Sequence, residues 1–388
     1  MGSKYTYLGW WARLNSGRLR RLREAGSMLA NFAHRHINQR IKQLPVLSEI
    51  SGLSRIAVHT LADTVRSING HAWTIVPYGL SAITTPANLD GEAFEALCDD
   101  PIRGRVPIHG ILHRSGGVQK PLVVLVHGIA STPREAYMRR MVRVLTQDGF
   151  DVLSLALRGA LGLGSDHYHA GLTDDLVALL EDPRITAYKS IFMVGFSLGG
   201  QIALRLAIEH RPQRLGGTIS ICSPISMLHS QRVLDRPAMK PYRMSILTSL
   251  KRKYRRLAEN GEREGQPMLL HPDRVKGIKT FYQWDQNVVC PRFGYGSVEE
   301  YYADVSVGPH LARLETPGLM VFTACDPLIP IRSLELYLQD ISPTTELHIL
   351  KRGGHLGFGP ELNLGYGDET GIEHQVSAWI TRQNLDLE

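Results

Sequence analysis

Six short apolar runs, separated by stretches of helical periodicity, constrain this chain more than any other feature. They are PLVVLVHG (121–128), FDVLSLALRG (150–159), SIFMVGFS (190–197), GGTISICSP (216–224), PGLMVFTACD (317–326) and TELHILKRGGH (345–355). Near-continuous Val, Ile and Leu is what strands buried on both faces require, and parallel neighbours need crossover connections that bring helices with them. The alternation therefore predicts an α/β fold with a mostly parallel central sheet and helices on both faces. Upstream, AWTIVPY (72–78) and RVPIHGILHR (105–114) read as early strands, and the glycine pair at 116 and 117 as a hairpin turn. From Ile225 to about Ser306 the rhythm breaks into a long, charged, helical stretch. Inserted between two core strands, it is expected to form a cap.

The 388 residues carry a formal charge of +7, which invites the idea of an acidic partner until the chain is divided. Residues 1–70 hold eleven Lys or Arg against three acids, a surplus of eight, so the remainder carries −1. The basic character belongs to the N-terminal segment, and no nucleic-acid partner is expected. The expected organisation is a basic helical N-terminal extension (1–70), a first core part (71–224), a cap insertion (225–306) and a second core part (307–388). Within the extension, RLRRLR (18–23) with Trp10, Trp11 and leucines on one face forms a basic amphipathic pattern. Such a helix lies on an anionic membrane surface, on the body of the protein or on a second subunit. KRKYRR (251–256), inside the cap, reads as a solvated helix face.

Cys98, Cys222, Cys290 and Cys325 show no CxxC spacing and read as buried free thiols, which fits a reducing compartment. No run reaches the length of a membrane span and no signal-peptide pattern opens the chain, so a cytoplasmic protein, at most peripheral to a membrane, is expected. The alternating histidines of HYH (167–169) lack a Cys or carboxylate at zinc-like spacing and read as loop packing. No Walker-type loop or dinucleotide fingerprint is present, so neither a cofactor nor a metal is implied.

The chemistry concentrates at Ser197, in GFSLG, with Gly195 and Gly199 two positions away on each side. A strand that must turn sharply into a helix holds this serine in a strained conformation, and larger flanking side chains would collide. The turn presents the hydroxyl above the sheet and aims the amino end of the next helix at a developing oxyanion. A serine alone is a weak nucleophile, so an acid, a base and oxyanion donors are required. Asp326 closes one strand run and His355 follows the next after two glycines, giving the chain order Ser, Asp, His. Asp285 and Asp340 are rival acids, but neither directly ends a core strand. After His127-Gly128 the amide of Ile129 is the expected oxyanion partner of the Leu198 amide, with His127 bracing the loop rather than acting as base.

The stretches VLVHG, LRG followed by YHAGLTDDL, VGFSLGG, SVEEYYADVS and GGHLGF, across residues 120–360, resemble the α/β-hydrolase superfamily. Within it they are similar to the branch of the embryogenesis-associated proteins, the abhydrolase-domain medium-chain phospholipases and bacterial predicted esterases. The acid motif is CDP here, where DDP is common in that branch. The resemblance implies an α/β-hydrolase fold with Ser197, Asp326 and His355 as a catalytic triad. The expected activity is hydrolysis of small-molecule carboxylic esters with short to medium acyl chains through an acyl-serine intermediate. Transfer of the acyl group to an alcohol and hydrolysis of lipids use the same triad. A non-catalytic hydrolase fold that binds a membrane or a partner is the reading of another class.

Overall fold

The computed structural model describes residues 70–75, 89–116 and 121–386. The N-terminal extension, apart from Gly70, lies outside the described residues, and with it the amphipathic RLRRLR pattern. Among the described residues eight strands form one sheet in the order β1-β2-β4-β3-β5-β6-β7-β8. Their ranges are β1 Glu92–Asp100, β2 Gly104–His113, β3 Leu122–Val126, β4 Asp151–Ala156, β5 Ile191–Phe196, β6 Leu215–Ile221, β7 Gly318–Thr323 and β8 Thr345–Leu350. From β4 through β8 every neighbouring pair is parallel, and β1 and β2 add an antiparallel edge.

The all-apolar strands serve two cores. On β3, Leu122, Val124 and Val126 join one buried cluster while Val123 and Leu125 join the other. Period-two alternation with both faces covered explains why the run reads as unbroken Val and Leu. One face is covered by α1 (Ala136–Gln147) and α7 (Ile372–Leu385), whose Met138, Met141, Leu145, Val376 and Trp379 pack on the sheet. The other receives α2 (Asp174–Glu181) and α3 (Leu198–Glu209) through residues such as Leu176, Leu179, Ile202 and Leu206. Between β6 and β7 the chain leaves the sheet for α4 (Met227–Leu234), the long α5 (Lys240–Arg263) and α6 (Val298–Val305). A π-helical turn, Asp285–Val289, lies between α5 and α6. Leu247, Tyr254, Trp284 and Tyr301 from this insertion belong to the same buried cluster as α3.

Three expectations need correction. Within AWTIVPY, residues 70–75 are helical rather than extended. Trp73 is buried and the Thr74 hydroxyl donates to the Gly70 carbonyl at 2.7 Å, so packing overrides the β preference of Trp, Thr and Ile. The glycine pair does not make the first hairpin, because β2 pairs with β4 and not with β3. The tight turn lies at 101–103, where the Asp100 carboxylate accepts the N–H groups of Ile102 and Arg103, both at 2.9 Å. Strand β1 carries no strong sequence signal, since Leu97 faces out and the charged Asp100 faces in. Finally, KRKYRR is not wholly solvated: Tyr254 is buried and Lys253 points into the protein. The four cysteines are buried and form no disulfide with one another. No described helix is long and apolar enough to cross a membrane.

Candidate active site

Three loops at the carboxyl ends of the parallel strands converge. Ser197 sits between β5 and α3 at φ 51°, ψ −123°, a conformation that costs a non-glycine residue of order 1–3 kcal/mol. Its N–H donates to the Ile221 carbonyl at 2.8 Å, which ties the strained turn to β6. A Cβ on Gly195 would lie 2.3 Å from the Gly200 Cα, and one on Gly199 would lie 2.2 Å from the Val126 carbonyl oxygen. Both contacts are with backbone, so the spacing of the two glycines is a steric requirement of the turn.

Asp326 follows β7. One carboxylate oxygen accepts the N–H groups of Leu328 and Ile329 at 2.8 and 3.0 Å, so the Asp-Pro turn fixes the side chain. The other oxygen faces His355 Nδ1 at 2.9 Å. His355, in the loop after β8, directs Nε2 to the Ser197 hydroxyl at 3.0 Å. With Nδ1–H donating to the carboxylate, Nε2 is left as the acceptor for the serine proton. The rival Asp285 is engaged elsewhere, accepting from the Tyr302 hydroxyl at 2.5 Å, and Asp340 falls in the turn Leu338–Asp340 beyond β7.

Sequence reasoning missed one support of this histidine. The His355 backbone N–H donates to Thr74 Oγ1 at 2.8 Å, from the helical segment 70–75. Reading that segment as a strand hid the contact, and no local motif in it would have shown a link to a residue 281 positions away.

The loop after β3 is held from several directions. His127 is buried, its Nε2 accepting from the Leu157 N–H at 3.1 Å and its Nδ1 facing the Gly128 carbonyl at 2.8 Å. Burial pushes its pKa down to about 3, so it is a neutral brace, as its position before glycine suggested. Ala130 adopts φ 57°, and its N–H donates to the Tyr168 hydroxyl at 2.7 Å. From α5, Lys253 Nζ donates to the carbonyls of Ala130 and Ser131 at 3.0 and 2.7 Å, and the Ser249 hydroxyl reaches Ala130 at 3.2 Å. Burial lowers the Lys253 pKa to about 8. Ile129 and Leu198 line one cavity of about 100 Å³ together with Ser197 and His355. The inserted helices close it with Leu234, Ile246, Leu250 and Trp284.

At the cavity wall lies a buried ion cluster. Arg158, at the end of β4, donates to Asp175 at 2.5 Å, Asp100 at 2.6 Å and Asp166 at 2.9 Å. Arg292 of the insertion donates to Asp166 at 2.6 Å and Asp100 at 2.8 Å. The LRG and TDD stretches meet here: Asp175 serves the cluster, while Thr173 caps α2 by position with its hydroxyl on His210 Nε2 at 3.0 Å.

Cys222, Asp326 and His355 bring their ligand-type atoms within 4.8 Å of one another. Burial, followed by the Asp326 charge, raises the Cys222 thiol well above its ordinary pKa. A neutral thiol is a poor metal ligand, and both other groups are engaged with each other and with Ser197.

Residues 123–361 match the Alpha/beta hydrolase family. A Synechocystis protein that bears an esterase name is 25% identical over 311 residues, 72% of this chain and 83% of that protein. The monoacylglycerol lipase of Saccharomyces cerevisiae is 26% identical over 251 residues, 62% of this chain and 55% of the lipase. Phospholipase ABHD3 of Homo sapiens is 23% identical over 252 residues, 62% of this chain and 59% of the phospholipase. The chain thus spans little more than half the length of the yeast and human relatives it matches. With the mostly parallel sheet, the serine turn and the family match over most of the described chain, the protein belongs to the alpha/beta hydrolase family.

Proposed function

We propose that the protein is a serine hydrolase of carboxylic esters, with Ser197 as nucleophile, His355 as base and acid, and Asp326 as the group that orients the histidine. The observation that carries this reading is the pair of contacts His355 Nε2 to Ser197 Oγ at 3.0 Å and His355 Nδ1 to Asp326 at 2.9 Å, built on a strained serine. The esterase and lipase names of its relatives support the same chemistry.

In this mechanism the Ser197 oxygen attacks the ester carbonyl while its proton passes to His355 Nε2. Asp326 stabilises the resulting imidazolium without itself taking the proton. The oxyanion is held by the amides of Ile129 and Leu198, the latter at the amino end of α3. Collapse expels the alcohol, which receives the proton from His355. Water then attacks the acyl-serine with His355 again as base, and Ser197 is released with the acid product. The helices between β6 and β7 act as a cap that walls the acyl pocket. Its mostly apolar lining, Leu234, Ile246, Leu250 and Trp284 among it, suits an alkyl chain, and short to medium chains are the ones proposed.

The test is a p-nitrophenyl ester series from acetate to palmitate, run on wild type and Ser197→Ala, with fluorophosphonate labelling of both. Wild type should be labelled at Ser197, and Ser197→Ala should lose at least about a thousandfold in kcat. Labelling elsewhere, or equal turnover by the two proteins, would contradict the assignment.

A further inference from the structure

One buried group in the cavity has no work in the chemistry above. His167 precedes Tyr168 on the loop after β4, and its side chain is 9% exposed. Among the described residues neither of its ring nitrogens has a hydrogen-bond partner, although it lines the cavity that holds Ser197 and His355. Its closest ionic neighbour, Asp166, stands 3.8 Å from Nδ1, beyond hydrogen-bonding distance, and is taken up by the two arginines. The rings of Tyr254 and Phe293 fix its plane at centroid separations of 5.9 and 5.5 Å. A buried polar side chain left without partners is destabilising, so such a group calls for a ligand atom.

Resting on the serine-hydrolase reading, we propose that His167 is a specificity residue that anchors a hydroxyl carried by the substrate's chain, so that the preferred esters are hydroxylated rather than purely alkyl.

The chemistry of the wall selects a neutral oxygen. Burial pushes the His167 pKa down to about 4, so the ring is neutral and offers one donor and one acceptor. A hydroxyl matches both. A neutral ring offers neither a carboxylate nor an ammonium the opposite charge that would offset its desolvation in this buried wall. Asp285, held by the Tyr302 hydroxyl at 2.5 Å, adds a second polar point to the same wall.

Matched ester pairs test the proposal, one arm with the hydroxyl on the acyl side and one with it on the alcohol side. The first compares the p-nitrophenyl esters of ω-hydroxyhexanoate and hexanoate; the second compares hexanediol monohexanoate with hexyl hexanoate. Wild type should favour the hydroxylated member of one arm by at least about tenfold in kcat/KM, and the arm that responds tells which side of the ester enters the pocket. His167→Leu should bring that ratio close to one, and His167→Gln, which keeps a donor and an acceptor, should restore most of it. Thermal melts establish that each variant is folded; should His167→Leu not fold, the wild-type ratio and His167→Gln still decide. A wild-type ratio of one in both arms, with plain esters cleaved and Ser197 labelled, overturns this assignment and leaves the hydrolase intact. A ratio that survives in folded His167→Leu overturns it too. Cleavage of no ester, with no labelling of Ser197, overturns the hydrolase reading and this inference together.

Discussion

Replacing Lys253 by Met separates the contribution of the inserted helices to catalysis from their contribution to stability. Lys253 reaches from α5 to the carbonyls of Ala130 and Ser131, at 3.0 and 2.7 Å, on the loop that also carries Ile129. Methionine keeps most of the apolar stem and removes both bonds, leaving the Ser249 hydroxyl on Ala130 at 3.2 Å. Loss of an oxyanion donor costs about 10²–10³ in kcat, and a displacement of about 1 Å can cost about 10², so a loop half-released should lower kcat by about 30–100-fold. KM should change less than about threefold, because the interaction matters most when charge develops on the carbonyl oxygen. Stability should move by no more than about 2 kcal/mol, since two hydrogen bonds from a charged group are offset by the desolvation of a buried ammonium. That desolvation is also what lowers its pKa to about 8. The pH dependence then has opposite signs in two assays. Activity that needs the ammonium should fall as pH rises through about 8, and this limb should vanish in Lys253→Met. Stability should instead gain from this residue between pH about 8 and about 10.4, because there the unfolded chain binds the proton and the folded one does not. The assay is a pH–rate profile on a short p-nitrophenyl ester beside a pH series of thermal melts. A variant within about twofold of wild type, or one that keeps the alkaline limb, would refute the coupling of α5 to the oxyanion loop.

The other predictions concern the groups behind the triad and the cavity. Asp326→Asn should fold, since the amide oxygen can still accept from Leu328 and Ile329, yet lose about 10⁴ in kcat because Asn stabilises the wrong imidazole tautomer; activity near wild type would remove Asp326 from the triad. Thr74→Val deletes the acceptor for the His355 N–H and should lower kcat about tenfold with KM little changed, a split visible in steady-state kinetics on the ester series. Arg158→Met leaves Asp175, Asp100 and Asp166 short of positive charge and should cost about 3–5 kcal/mol in denaturant unfolding. Burial alone would raise the Asp100 and Asp166 carboxyls, yet hydrogen bonds from Arg158 and Arg292 reverse this and hold both below the ordinary carboxylate range. Depressed acids stabilise above their unfolded pKa and lose that contribution as pH falls. The gap between wild type and Arg158→Met should therefore narrow below about pH 4, and a gap that widens there would contradict the charge argument.

Much of the site was legible because its parts are punctuated locally. The glycines around Ser197 record a steric limit within five residues of chain. Asp326 and His355 stand where apolar runs end, which is where parallel strands deliver side chains to one rim of a sheet. His127 before Gly128 was legible as a brace for the same reason. What escaped were residues whose partners lie far along the chain. Thr74 looked like part of a strand because its own neighbours favour one, and packing of the segment overrides that preference and brings its hydroxyl to His355. Lys253 sat in a run of charge that locally resembles any solvated helix face, and only the docking of α5 over Ala130 turns it inward.

The sequence by itself determined the layers and which side chains meet at one rim of the sheet, because hydrophobic periodicity, glycine spacing and strand ends are properties of short segments. It determined that the sheet is mostly parallel, that Ser197 occupies a strained turn, and that Asp326 and His355 follow it at later strand ends. The tertiary structure alone decided what surrounds those groups: the threonine behind His355, the lysine on the carbonyls of Ala130 and Ser131, and a histidine of the cavity wall whose ring nitrogens have no partner. Burial and hydrogen-bond satisfaction depend on which distant segments come to rest against a residue, and no window of neighbouring residues contains that information.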